Sequence, residues 1–194
     1  LSPFRMRSVL GRKPFARRAR PPFVVRPAVP ADREAIESFY EERQRWRLFG
    51  FRGELRRRLE GSWDGFAIER FVIAEDRRGE VVACSAVWSP SAAKTTLISR
   101  IPRALEVAGA LARALPGRPI VNVPRAGEPL RIGYMTCLEV APRLSPSERS
   151  ETLAALIDET LRVERDAGWH MLALPEHRAF LLGDFELLPA LDPE

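Results

Sequence analysis

Apolar positions along this chain follow two different periods, and the clearest change from one to the other lies between Arg131 and Leu174. Arg131 to Val140 (RIGYMTCLEV) is β-branched, aromatic and apolar enough to be a buried strand. Ala141 to Leu144 leave it. Ser145-Pro146-Ser147-Glu148 then matches a capping box with proline at the first helical position. Leu153, Leu156, Ile157 and Leu161 come next, at the three-and-four spacing of one helix face. Gly168 stops the helix, and Trp169 to Leu174 (WHMLAL) is a second apolar strand. Two buried strands joined by a crossover helix should be parallel and right-handed. A helix that begins just past the carboxyl end of a strand offers N–H groups to an anion, so this turn is the first candidate site.

Upstream, Phe23 to Arg26 reads as a short strand. Asp32 is placed to cap a helix whose apolar face is Ile36, Phe39 and Tyr40. Glu41–Glu60 is arginine-rich with Trp46, Leu48, Phe49, Phe51, Leu55 and Leu59 interspersed. It predicts a second, shorter helix after a break at Gly50 to Gly53. Aromatics among arginines either stack on bases or form the apolar underside of a helix pair. Glu69 to Glu75 and Glu80 to Trp88 predict a hairpin turned by Asp76-Arg77-Arg78-Gly79, with the glycine at a positive φ. Arg100 to Leu115 predicts another helix, and Asn122 to Pro129 a loop. Ala179 to Phe185 reads as a short helical turn.

Charge changes the picture in one respect. The chain of 194 residues carries a formal +5, but residues 1–26 hold seven arginines and Lys13 with no acid. The remainder is mildly acidic. Residues 1–22, with four prolines and no periodicity, read as a basic, disordered arm, and 23–194 as a single domain. The arm either contacts an anionic partner, nucleic acid or a membrane surface, or is a solvated tail or linker. No apolar run approaches the roughly 20 residues of a membrane span. Cys84 and Cys137 lie in strand-like runs without metal-ligand spacing. They read as buried thiols in a reducing, cytoplasmic setting, and no metal site is expected.

The order strand, helix, helix, antiparallel hairpin, strand–helix–strand over roughly residues 23–188 resembles the GCN5-related N-acetyltransferase (GNAT) superfamily. The resemblance implies an α/β (α+β) fold with a mixed, mostly antiparallel central sheet, a parallel strand–helix–strand at 131–174, and helices on both faces. In that family the strand before the crossover helix ends in an apolar-x-Pro step, here Val140-Ala141-Pro142. The signature Arg/Gln-x-x-Gly-x-Gly/Ala comes after it and binds the pyrophosphate of acyl-CoA through backbone N–H groups. Counted from Val140, its positions fall on Ser145, Glu148 and Ser150, and the helix leucine on Leu153. The interval is kept and the glycines are not. Glycine lets a backbone approach phosphate with no side chain between, whereas Glu148 brings both a side chain and a negative charge.

The resemblance implies acyl-CoA (acetyl-CoA or longer) as co-substrate and transfer to a small-molecule or peptide amine by direct attack. Its binding residues would be Leu138 and Val140 through their backbone N–H groups, with Arg143, Ser145, Ser147, Arg149 and Ser150 around the turn. Relatives carry a base on the strand. Here Tyr134 stands six residues before Val140, and Glu139 is the strand's only carboxylate, which reads equally as a surface or edge contact. The family's proton-donating tyrosine falls on Phe180, before Gly183-Asp184-Phe185. His177 beside Glu176, past the second strand's carboxyl end, is either an acid–base pair or a solvated loop. His170, inside that strand, reads as packed. The alternative to an acyltransferase is a non-catalytic domain of the same fold that has lost acyl-CoA binding.

Overall fold

A computed structural model of the chain describes residues 5–9, 22–45, 53–92, 94–104, 106–107, 124–164 and 167–176. The fold is mixed α+β. Its elements are β1 (Arg5–Val9), β2 (Val24–Pro27), α1 (Arg33–Gln44), α2 (Glu54–Arg57), β3 (Phe71–Glu75), β4 (Val81–Trp88), β5 (Ile132–Val140), α3 (Pro146–Val163) and β6 (Met171–Glu176). Strand pairing is mostly antiparallel, with β5 and β6 the parallel pair. The chain falls into two compact units. One holds Leu1–Ala16, Ser89–Tyr134 and Leu161–Glu194, the other Arg17–Trp88 and Met135–Thr160.

In the unit that holds α1 and α2, the strand order is β5-β4-β3-β2. The β3–β4 turn forms as its sequence predicts. Gly79 has φ 78°, and the Asp76 carboxylate accepts the N–H groups of Arg78 (2.9 Å) and Glu80 (3.1 Å). β3 and β4 are buried almost end to end, where a one-sided sheet would alternate, so both faces are covered. α1 buries Ile36, Phe39 and Tyr40 at the expected spacing, and with them Gln44 and Glu37. Leu55 of α2 is fully buried.

Asp32 stands before α1 but does not cap it. Its carboxylate accepts the Val29 N–H (2.8 Å) and two bonds from the Arg26 guanidinium (2.7 and 2.9 Å), and Arg26 also holds Glu75 (2.9 and 2.6 Å). A two-pronged bond to a guanidinium is stronger than a neutral N–H cap, and the carboxylate turns to it.

In the other unit the order is β1-β6-β5. Five residues of the segment expected as a disordered arm form β1, antiparallel to β6 with Arg5 opposite Glu176 and Val9 opposite Leu172. A backbone ladder along an open strand edge needs no apolar periodicity, so the pattern carried no sign of it. β5 and β6 pair in parallel at three positions, Ile132–Met171, Gly133–Leu172 and Tyr134–Ala173. The segments around Thr96 and Leu130 form a bridge, with Gly127 N–H on Ile98 O (2.7 Å) and Leu130 N–H on Thr96 O (2.7 Å). Of the helix expected over 100–115, residues 103–104 and 106–107 are helical and the rest lies outside the described residues. α3 buries all four residues of its predicted face, Leu153, Leu156, Ile157 and Leu161. Among the described residues no helix is long and apolar enough to cross a membrane.

Candidate functional site

The candidate turn lies where β5 feeds α3. The Ala141 N–H donates to Val82 O (2.7 Å) and Leu144 N–H to Ala141 O (3.3 Å), which brings Ser145 to the helix start. The capping box then closes as the sequence predicts. Ser145 N–H donates to Glu148 Oε2 (2.9 Å), and Glu148 N–H to Ser145 Oγ (3.3 Å). The Ser145 hydroxyl also donates to Glu148 Oε2 (2.7 Å). This hydroxyl, and then the Ser145 N–H, hold the Glu148 carboxyl below the usual carboxylate range. Pro146 has no N–H, and Arg149 N–H is taken by Ser145 O (2.9 Å). The turn as folded leaves chiefly the Ser147 N–H to an incoming anion.

The flanking cations are also engaged. Arg143 reaches the β3–β4 hairpin, bonding Asp76 Oδ2 (3.1 Å) and Glu80 Oε2 (3.2 Å). Arg149 folds back on the turn, donating to Pro142 O and Leu144 O (3.3 Å each). Both were expected to face an anion, and local acceptors hold them elsewhere. Ser147 is exposed and Ser150 half-buried.

The second group of candidate side chains sits on the carboxyl half of β5. Burial alternates along the strand up to Cys137 and is continuous from Cys137 to Val140. Cys137 has φ 52°, a left-handed conformation rare for a residue with a Cβ. A residue in that region inside a strand breaks the two-residue alternation and re-aims the side chains after it, as a bulge does. Glu139 is therefore not at a surface or edge. It is 3% exposed, and its Oε1 accepts from the Gln44 amide of α1 (3.2 Å), with Arg43 Nε 3.9 Å from Oε2.

Cys137 itself sits among polar groups. Arg58 Nη1 donates to its sulfur at 3.7 Å, and the Thr136 hydroxyl lies at 3.9 Å. The Arg58 guanidinium also pairs with Glu54 and lies 4.1 Å above the Trp63 ring. Burial pushes the Cys137 thiol up to about 11 against the pull of Arg58, so at neutral pH it is protonated and no nucleophile. Cys84 donates its thiol to Cys137 O (3.3 Å), and both cysteines are free and buried.

The two sets of residues are carried by one strand and the helix after it. Leu138 and Val140 are buried there. Tyr134 is half-buried in the stretch that pairs with β6. His177, Phe180 and Gly183-Asp184-Phe185 lie outside the described residues. Gln44, Tyr40, Arg58 and Cys137 were missed as site residues. One signal was available, since Ile36, Tyr40 and Gln44 are four apart and a glutamine on an apolar stripe needs a buried partner. Among the described residues no group of His, Cys, Asp or Glu is arranged to hold a metal ion. No family model and no curated protein matches the chain.

Proposed function

We propose that the chain is a GNAT-like N-acyltransferase that moves an acyl group from a CoA thioester to an amine, with low affinity for the CoA pyrophosphate. The observation that carries this reading is the buried carboxylate of Glu139, held by Gln44 at the end of a strand that runs through Val140-Ala141-Pro142 into a helix start.

The fit of the pyrophosphate is decided by magnitudes. A side-chain cap such as Ser145 is worth about 1 kcal/mol. Hydrogen bonds to a charged group are worth about 1.5–3 kcal/mol each. Two such bonds, at Ser145 or Glu148 and at Ser147, exceed the cap they would displace, provided that Glu148 swings out to solvent. Arg143, 53% exposed and held by surface ion pairs, is free to turn in the same way.

The thioester would supply the activated carbonyl. The N–H groups of Leu138 and Val140 would polarise its oxygen, and Glu139 would take the proton of the attacking amine, directly or through water. Gln44 would orient that carboxylate. The free thiols of Cys84 and Cys137 suit a reducing, cytoplasmic setting.

The closed capping box favours a second reading, a binding or structural domain of the same fold without acyl-CoA. Thermal unfolding with acetyl-CoA and longer acyl-CoAs separates the two. A ligand at 100 times its dissociation constant adds about 2.7 kcal/mol of stability. No shift at millimolar ligand would remove the first reading and leave the second.

A further inference from the structure

We infer that His170 is an acid-released clamp on the start of the parallel β5–β6 pair. The clamp has two bonds, both to the backbone of Arg131. His170 N–H donates to Arg131 O (2.8 Å), and Arg131 N–H donates to His170 Nδ1 (3.0 Å). Pairing of the strands begins one residue further on, at Ile132 and Met171. The side chain of His170 therefore does what a backbone carbonyl would do at the next rung of a ladder.

The bond to Nδ1 fixes the tautomer. Nδ1 must keep its lone pair, so the ring proton of the neutral imidazole is on Nε2. Nε2 lies 3.4 Å from Glu128 Oε1 and 3.4 Å from the Arg131 guanidinium. A second proton can go only to Nδ1. There it would meet the Arg131 N–H donor to donor, and the bond would be lost.

The ring, 1% exposed at its side chain, faces two charged groups. Arg131 repels a second proton and Glu128 attracts it. Burial and Arg131 prevail, and the imidazole titrates below its ordinary range. Glu128 cannot reverse this cheaply, since its carboxylate also accepts the Arg125 N–H and is one-third exposed. Arg131 has little room to withdraw toward Gly168. A Cβ there would come within 2.9 Å of its Nη1, so the guanidinium lies directly against the chain.

The direction of the shift sets the sign. The unfolded chain binds the proton more readily than the folded one below pH ~6.5. The clamp's contribution is complete above that value and declines as pH falls toward the folded pKa. Below it the protonated, unclamped form takes over.

The experiment is a pH series on the whole chain by NMR, tracking the His170 ring nitrogens and exchange of the Arg131 amide corrected for intrinsic rate. Three results are expected. The ring titrates below the free histidine value with Nε2 protonated in the neutral form. Arg131 protection falls about tenfold per pH unit between the free histidine value, about 6.5, and that midpoint. His170→Asn, whose side-chain oxygen accepts the same N–H without titrating, removes the pH step while keeping the protection. A midpoint at or above the free value, or Arg131 protection that is flat from the free value down to the midpoint, overturns the clamp. If the asparagine variant does not fold, these two readings on the wild-type chain still decide.

Discussion

Glu148 and Glu139 are nine residues apart and behave in opposite ways. Glu148 finds both its partners within three residues, at the half-exposed start of α3. Glu139 is buried and finds Gln44 95 residues earlier in the chain. A carboxylate that bonds its own turn is a local device that stabilises a helix and can be displaced by a better anion. A carboxylate that reaches another element is fixed by the whole core, and removing it leaves a buried polar group unanswered. The same difference separates the two halves of the proposed site: a phosphate-facing turn that must open, and a proton-accepting residue that is already in place.

The comparison breaks hardest at Glu139. Glu139→Ala strands the Gln44 amide and opens a void, and is expected to cost about 3 kcal/mol of stability by urea unfolding. Glu139→Gln keeps the volume and an acceptor for Gln44. It should unfold within about 1 kcal/mol of the wild type yet lose acyl transfer, and retained turnover in that variant would remove Glu139 as the base. Next comes Cys137→Val. A β-branched side chain at φ 52° is strained and also loses the contact to Arg58, for about 2 kcal/mol in the same assay. A neutral effect there would argue against the bulge that turns Glu139 inward.

At the turn the effects are smaller and of mixed sign. Glu148→Ala removes the charge and the side chain that hold the Ser145 N–H, and should tighten acetyl-CoA about tenfold in a binding titration. No gain would favour the domain without acyl-CoA. Ser145→Ala removes the other half of the box and should cost about 1 kcal/mol, measured by thermal unfolding.

Legibility in the sequence tracks the range of each interaction. The capping box, the α3 face and the Asp76–Gly79 turn are local, and each formed as its residues predict. The apolar stripe of α1 was equally plain. Interactions that close over long stretches of chain were not readable. Asp32 has the chemistry of a cap, but Arg26, itself held by Glu75, draws it away, and nothing in the spacing of Asp32 announces that partner. β1 pairs through its backbone, which composition does not record. Glu139 could be placed on a strand, but its face depended on the backbone of Cys137, and a left-handed cysteine has no sequence mark as glycine has. The capping box was therefore legible in the sequence, while the partners of Arg143 and Arg149 and the neighbours of the proposed base had to be seen.

The smallest test of the comparison is pH. Glu148 has its folded pKa depressed by the Ser145 hydroxyl and N–H. Its cap is complete above the ordinary carboxylate range and is lost as pH falls through the folded value, because the unfolded chain takes up the proton first. A carboxyl-carbon NMR titration should find Glu148 among the glutamates with low midpoints, and Ser145→Ala should raise that midpoint toward the free value. If the midpoint does not move, the Ser145 hydroxyl is not what holds the carboxylate. The turn would then be looser than the box requires, and an anion would meet less competition at the start of α3.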